Sequence, residues 1–95
     1  LGRSVRALIS VRLQPKTTQS VLAFQEAVLA APQTLNVWIL SGADDFLVEV
    51  AVPDVDGLRT FVLDIITARP DVSDSRTAVV YDHHASRDFP ALKVD

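Results

Sequence analysis

The sequence predicts an α+β domain whose four strands form one antiparallel sheet with two helices on one face. Three features lead there. Four short apolar stretches read as strands, two longer stretches repeat their apolar residues at helical spacing, and prolines stand at the joins. The resulting order is β-α-β-β-α-β.

From Val5 to Leu13, the residues Val5, Ala7, Ile9, Val11 and Leu13 alternate with Arg6, Leu8, Ser10 and Arg12. Successive side chains of a strand point to opposite faces, so this strand has one strongly apolar face and one mixed face. Pro15 ends it, and Thr17 or Thr18 offers a hydroxyl to an orphan N–H at the start of the first helix. Val21, Phe24, Val28 and Ala31 form that helix's buried stripe, which Leu22 and Leu29 widen. Pro32 and Asn36 bracket the return to an extended stretch over residues 35–40, around Trp38. A glycine-containing link follows, and Phe46, Val48, Val50 and Val52 then alternate with Leu47, Glu49 and Ala51 as the third strand.

Pro53 stops that strand, and Asp54 or Asp56 caps a second helix. Leu58, Phe61, Val62 and Ile65 make its inner stripe, while Arg59, Asp64 and Thr67 face away. Pro70 closes the helix because a proline disfavours the helical conformation of the residue before it. The last strand is expected near residues 75–82, with Thr77, Val79 and Tyr81 on one face and Ala78 and Val80 on the other. From about residue 86 the composition turns polar, as in a tail or a peripheral strand. With these elements the economical arrangement is the ferredoxin-like split βαβ fold, and right-handed crossovers place the first and third strands at the centre of the sheet. The second sheet face is then bare. It carries Leu8, Leu47 and Ala51, with Trp38 as a further candidate, beside Arg6, Arg12 and Glu49, a mixture suited to burial against a partner sheet.

Composition narrows the function. At 95 residues the chain is expected to be one domain, residues 1–95, and 48% hydrophobic with 22% charged residues places it among globular chains. A net charge of −3 argues against a surface that grips a phosphate backbone. Without cysteine there is no disulfide framework, thiolate metal site or cysteine nucleophile. The apolar runs are too short to span a bilayer and no signal-peptide pattern opens the chain, which leads to the expectation of a cytoplasmic protein. The chain opens at Leu1 rather than at a methionine, and is expected to be a piece of a longer protein. No cofactor motif is present. His83 and His84 invite a metal reading, but neighbours on a strand point to opposite faces and chelate poorly, so no metal site is assigned.

The most informative stretch is Ser41-Gly42-Ala43-Asp44-Asp45-Phe46-Leu47-Val48, which places a glycine and two adjacent carboxylates between two strands. A turn needs Gly42 and one Asp; the second Asp followed by an aromatic calls for more. Backbone N–H groups beside carboxylates suit a zwitterion, whose carboxylate takes donors and whose ammonium takes acceptors.

The run from Leu40-Ser41-Gly42 through Asp45-Phe46-Leu47-Val48 resembles the glycine–acid–aromatic–aliphatic signature of the Lrp/AsnC family of transcriptional regulators. So do the helix Leu58-Arg59-Thr60-Phe61-Val62-Leu63-Asp64 and the ending Arg76-Thr77-Ala78-Val79-Val80-Tyr81-Asp82-His83. The resemblance extends from about Leu1 to His84. In that family this portion is the C-terminal effector-binding and oligomerisation domain, known as the RAM domain, which follows a helix-turn-helix and a linker. Leu1-Gly2-Arg3 resembles the end of that linker, and this sequence contains no helix-turn-helix.

The resemblance implies a sheet-to-sheet dimer and dimers assembled into tetramers or octamers. It also implies a small effector, commonly an amino acid, bound between dimers. The effector-binding candidates are Ser41, Gly42, Asp44, Asp45, Phe46 and Thr77, and Asp45 is the better acceptor for an α-ammonium. Asp44 stands where many members carry an aromatic, and biases the site towards a basic or polar side chain. Arg76 is a candidate carboxylate partner whose default, as a lone surface arginine, is solvation, and Trp38 is assigned to packing. An exposed ion pair gives only about 0–1 kcal/mol, so a useful site must satisfy both ends of the ligand and exclude water.

Two other readings compete with the sensor: a free-standing effector domain, and a small dimeric α+β enzyme of the same topology. No nucleophile–base pair stands at recognisable spacing, so no catalytic residue is assigned. A sheet-surface RNA binder would need aromatics among basic residues on the bare face, where this chain carries acids.

Overall fold

A computed structural model describes residues 4–86. The chain runs through β1 (Val5–Leu13), α1 (Thr18–Ala30), β2 (Thr34–Ile39), β3 (Phe46–Val52), α2 (Val55–Phe61) and β4 (Val72–Val79), with α2 continuing as a π-helical turn over Val62–Ile66. The four strands form one antiparallel sheet in the order β2-β3-β1-β4. This is the ferredoxin-like α+β arrangement, with the first and third strands central. The expected tail from about residue 86 lies almost entirely outside the described residues.

The core is built from the apolar faces that alternation marks. Ala7, Ile9, Val11 and Leu13 of β1 and Phe46, Val48, Val50 and Val52 of β3 are buried beneath Phe24, Val28 and Ala31 from the α1 side and Leu58, Phe61 and Ile66 from the α2 side. Phe24 and Phe46 bridge the helix and sheet layers, with ring centroids 4.7 Å apart and planes tilted by 46°. Truncating either ring to alanine would cost about 3–5 kcal/mol.

Both helix starts use the expected chemistry. Thr17 Oγ1 accepts from the Ser20 N–H at 3.0 Å while Ser20 Oγ accepts from the Thr17 N–H at 2.9 Å, a reciprocal capping box. Asp54, not Asp56, caps α2, its Oδ1 accepting from the Gly57 N–H at 2.7 Å.

Three expectations are corrected. Leu22 and Leu29 do not widen the buried stripe of α1; they are 58% and 57% exposed, because the narrow face of Phe24 and Val28 is all that the sheet covers. In the second helix, Ile66 is fully buried while Ile65 is only partly covered. The Thr67 N–H donates to the Val62 carbonyl at 2.8 Å, an i→i−5 bond, and this widened turn carries Ile66 inward past regular helical spacing. Finally, β4 begins at Val72, three residues before the expected start, because Leu13 at the end of β1 pairs with Val72. The polar run Ser73-Asp74-Ser75 hides this strand from a periodicity reading, since an edge strand tolerates polar residues that a central one would bury.

The face opposite the helices is uncovered. Strand register sets Trp38, Leu47, Ser10 and Arg76 in one row across it and Asn36, Glu49, Leu8 and Ala78 in the next. Arg6, Leu8, Trp38, Leu47, Glu49 and Val80 line a shallow depression of about 530 Å³ there. Glu49 at its centre is paired on both oxygens: Arg6 Nε and Nη2 donate to Oε2 at 3.1 and 3.0 Å, and Asn36 Nδ2 donates to Oε1 at 2.7 Å. The Asn36 bond, with Arg6 assisting against the cost of burial, holds the Glu49 carboxyl below its ordinary range.

Candidate functional site

The 41–45 loop joins β2 to β3 at the end of the sheet where β1 finishes. Its entry and exit are fixed by backbone bonds: the Leu40 N–H donates to the Asp45 carbonyl and the Asp45 N–H to the Val11 carbonyl, both at 2.9 Å. Between them the chain must turn sharply, and Gly42 does so at φ +154°, a region that a side chain makes unfavourable. A Cβ built on Gly42 would meet nothing within 4 Å. The space beside the glycine is open. Among the described residues, the backbone N–H groups of Ser41, Gly42, Ala43 and Asp44 have no hydrogen-bond acceptor.

The two carboxylates have different situations. Asp45 is 5% exposed, and both its oxygens are engaged within the chain. Oδ2 accepts from the Leu13 N–H at 2.8 Å and Oδ1 lies 2.7 Å from Lys16 Nζ. The Leu13 N–H is the main reason its carboxyl sits below the ordinary range, followed by the Lys16 ammonium; burial opposes them and the Arg12 charge adds a smaller push downward. Asp44 is half-buried, and its Oδ2 accepts from Arg76 Nη2 at 2.7 Å. Arg12 completes the frame, its Nε donating to the Ala43 carbonyl at 3.0 Å.

The candidates read from sequence therefore divide. Ser41, Gly42 and Asp44 lie together at the open loop. Asp45 anchors that loop from beneath, and Phe46 packs wholly within the core against Phe24. Thr77 stands apart: it pairs with buried Ile9 and so lies on the helix-bearing face, beside Val55, Leu58, Arg59, Val62 and Leu63. Arg76, its neighbour, lies on the open face and reaches the loop. Sequence reasoning missed Arg12 and Lys16 as loop partners. Both lie some thirty positions upstream, |i−j| being 31 for Arg12 and Ala43, and no local pattern links them to the loop. His84 Nε2 lies 3.0 Å from Asp82 Oδ2, and no group of three or more metal-ligating side chains occurs among the described residues.

The sheet order, the uncovered face and this strand-end loop define a small α+β domain with an exposed glycine turn whose backbone donors face outward. Residues 6–88 match the family model of the Lrp/AsnC ligand binding domain. The chain belongs to the Lrp/AsnC family. It is 34% identical over 83 residues to the HTH-type transcriptional regulator AldR of Mycolicibacterium smegmatis, covering 87% of this chain and 48% of that protein. The crystal structure of MtbAldR superposes with a TM-score of 0.82 at 28% identity, covering 92% of this chain and 59% of that one. A transcriptional regulator of Neisseria meningitidis, solved as an L-Met complex, shares the fold with a TM-score of 0.77 at 24% identity, over 94% of this chain and 59% of that one. The chain spans about half the length of these curated relatives, which are named as transcriptional regulators. No helix among the described residues is long and apolar enough to cross a membrane.

Proposed function

We propose that this chain is the ligand-sensing and oligomerisation module of an Lrp/AsnC-type transcriptional regulator. In this reading it binds an amino acid or a similar small effector at the 41–45 loop, where a second dimer closes the site. One observation carries the reading: four successive loop residues, Ser41 to Asp44, present backbone N–H groups without acceptors around a glycine that leaves open space. Successive amides of this kind form a concavity suited to an anion such as a carboxylate. Ser41, Gly42 and Asp44 are the contacts, while Asp45 and Phe46 hold the loop in shape. Thr77, on the other face with Val55 and Leu63, belongs to the surface that the second dimer meets.

The uncovered sheet face supplies the dimer itself. Leu8, Trp38, Leu47 and Val80 give it an apolar centre, and Glu49 is already neutralised by Arg6, so little unpaired charge opposes burial against a second copy. In the whole protein, DNA contact falls to a segment outside this chain. The reading also places the protein in the cytoplasm and gives it no catalytic role. If the effector bridges dimers, its binding and the assembly equilibrium share one coupling free energy, typically about 1–3 kcal/mol.

Calorimetry with the proteinogenic amino acids at two protein concentrations tests this. At least one binder is expected, with an affinity that rises with protein concentration. Absence of any binder would leave the 41–45 segment as a turn.

A further inference from the structure

We propose that the effector site reads a carboxylate and does not need an α-ammonium, so that its ligands are small carboxylic acids, amino and oxo acids alike. The inference rests on the reading of the 41–45 loop as the effector site, and narrows the chemistry that the loop accepts. It comes from an imbalance between the donors and acceptors that the loop has left to offer.

The strong acceptors are already taken. Asp45 is occupied by the Leu13 N–H and Lys16, and its backbone carbonyl by the Leu40 N–H. The charge of Asp44 is offset by Arg76 at 2.7 Å, and the Ala43 carbonyl holds Arg12. An incoming ammonium finds only neutral carbonyls, the Ser41 hydroxyl and the second oxygen of a carboxylate whose charge is matched. Binding there would require desolvating the ammonium with no unpaired anion in return.

The donors, by contrast, are in surplus. The N–H groups of Ser41, Gly42, Ala43 and Asp44 are unpartnered among the described residues. Arg12 spends only Nε on a neutral carbonyl, and Arg76, with a side chain 65% exposed, spends only one Nη2 bond on Asp44. Lys16 and Arg76 are matched by Asp45 and Asp44, which leaves Arg12 as the cation at this loop without an ion-pair partner among the described residues. Asp74 stands opposite Arg12 in the strand register but makes no ion pair with it among the described residues. Charge-assisted bonds from guanidinium and backbone donors to a carboxylate are the stronger class, so the anionic end of the ligand dominates recognition.

The test is calorimetry on the full chain with three forms of each carbon skeleton: the amino acid, its 2-oxo acid, which keeps the carboxylate, and its amino amide, which keeps only the ammonium. Alanine, leucine, phenylalanine and methionine supply the skeletons. For any skeleton that binds, the oxo acid is expected within about tenfold of the amino acid, and the amide weaker by more than about tenfold. An oxo acid weaker by more than that, or an amide as tight as the amino acid, overturns the proposal while leaving the effector site in place. Failure of all three forms on every skeleton, with no binder among the other proteinogenic amino acids, overturns the effector-site reading itself, and this inference with it. Arg76→Ala supplies a second readout, since it frees the Asp44 carboxylate and is expected to shift preference towards the amino acid by about tenfold. An unchanged preference in that variant, with the fold confirmed by circular dichroism, removes the basis of the proposal.

Discussion

The carboxylate of Asp45 accepts the backbone N–H of Leu13 at 2.8 Å, joining the loop before β3 to the end of β1 across 32 positions of sequence. β1 twists out of register between Arg12 and Leu13, and the side chain of Asp45 takes up a donor beside that irregularity. With Lys16 on its other oxygen, Asp45 ties three segments together: the 41–45 loop, the end of β1 and the turn into α1. The loop's shape is thus set by a buried charge and not by the turn alone.

Removing that charge should be costly. Asp45→Ala leaves the buried Leu13 N–H without an acceptor and Lys16 without its partner, and is expected to lower unfolding free energy by about 2–3 kcal/mol. Effector affinity should fall with it as the loop loses its anchor. Asp54→Ala, which removes only the cap of α2, should cost about 1 kcal/mol and leave effector affinity unchanged. Urea unfolding paired with calorimetry on both variants checks this.

Acid should destabilise the domain through the same group. Both Asp45 and Glu49 titrate below their ordinary values in the fold, so their contribution is complete above the unfolded values and is lost as pH falls through the folded ones. Stability is expected to be flat down to about pH 5 and to decline below about pH 4. Asp45→Asn should be less stable at pH 7 and show a shallower acid decline. A decline as steep as that of the parent chain would place the acid response elsewhere.

The uncovered sheet face should govern self-association. Leu8 lies directly across from Glu49 on that face, so Leu8→Glu sets like charges opposite each other in the proposed dimer interface. Sedimentation should show a dimer at micromolar concentration for the parent chain and at least a tenfold weaker one for the variant, about 1.4 kcal/mol. Leu22→Glu on the exposed side of α1 serves as the control and should leave the dimer intact.

The chain by itself should not recognise a DNA sequence. Its net charge is −3, and the α1 and α2 helices both lay an apolar face on the sheet, leaving no helix pair among the described residues to enter a groove. Fluorescence anisotropy with duplex DNA at physiological salt is expected to show no sequence-dependent binding. Tight binding to one sequence would contradict the proposed division of labour.

Gly42 can be tested alone. Its positive φ with open space around it means that Gly42→Ala pays for backbone conformation but meets no clash, and about 1–2 kcal/mol of stability should be lost. Any loss of effector affinity beyond that of a similarly destabilised variant would show that the missing side chain also serves ligand approach.

The order of elements, the first and third strands as the sheet's centre, the helix caps and the inner faces of β1 and β3 were all legible in the chain, because alternation, helical spacing and capping are local and repeat with a fixed period. Gly42 and the paired acids marked the loop for the same reason: turn chemistry is written in adjacent residues. What the chain could not show was how those acids are spent. Arg12 and Lys16 come within bonding distance of Ala43 and Asp45 only once β1 and β3 are side by side, and that contact turns Asp45 from an expected ligand acceptor into a buried anchor. The place of Thr77 on the helix-bearing face and the inward turn of Ile66 were likewise decided by strand register and by one widened helical turn, which depend on long-range pairing that no local pattern encodes.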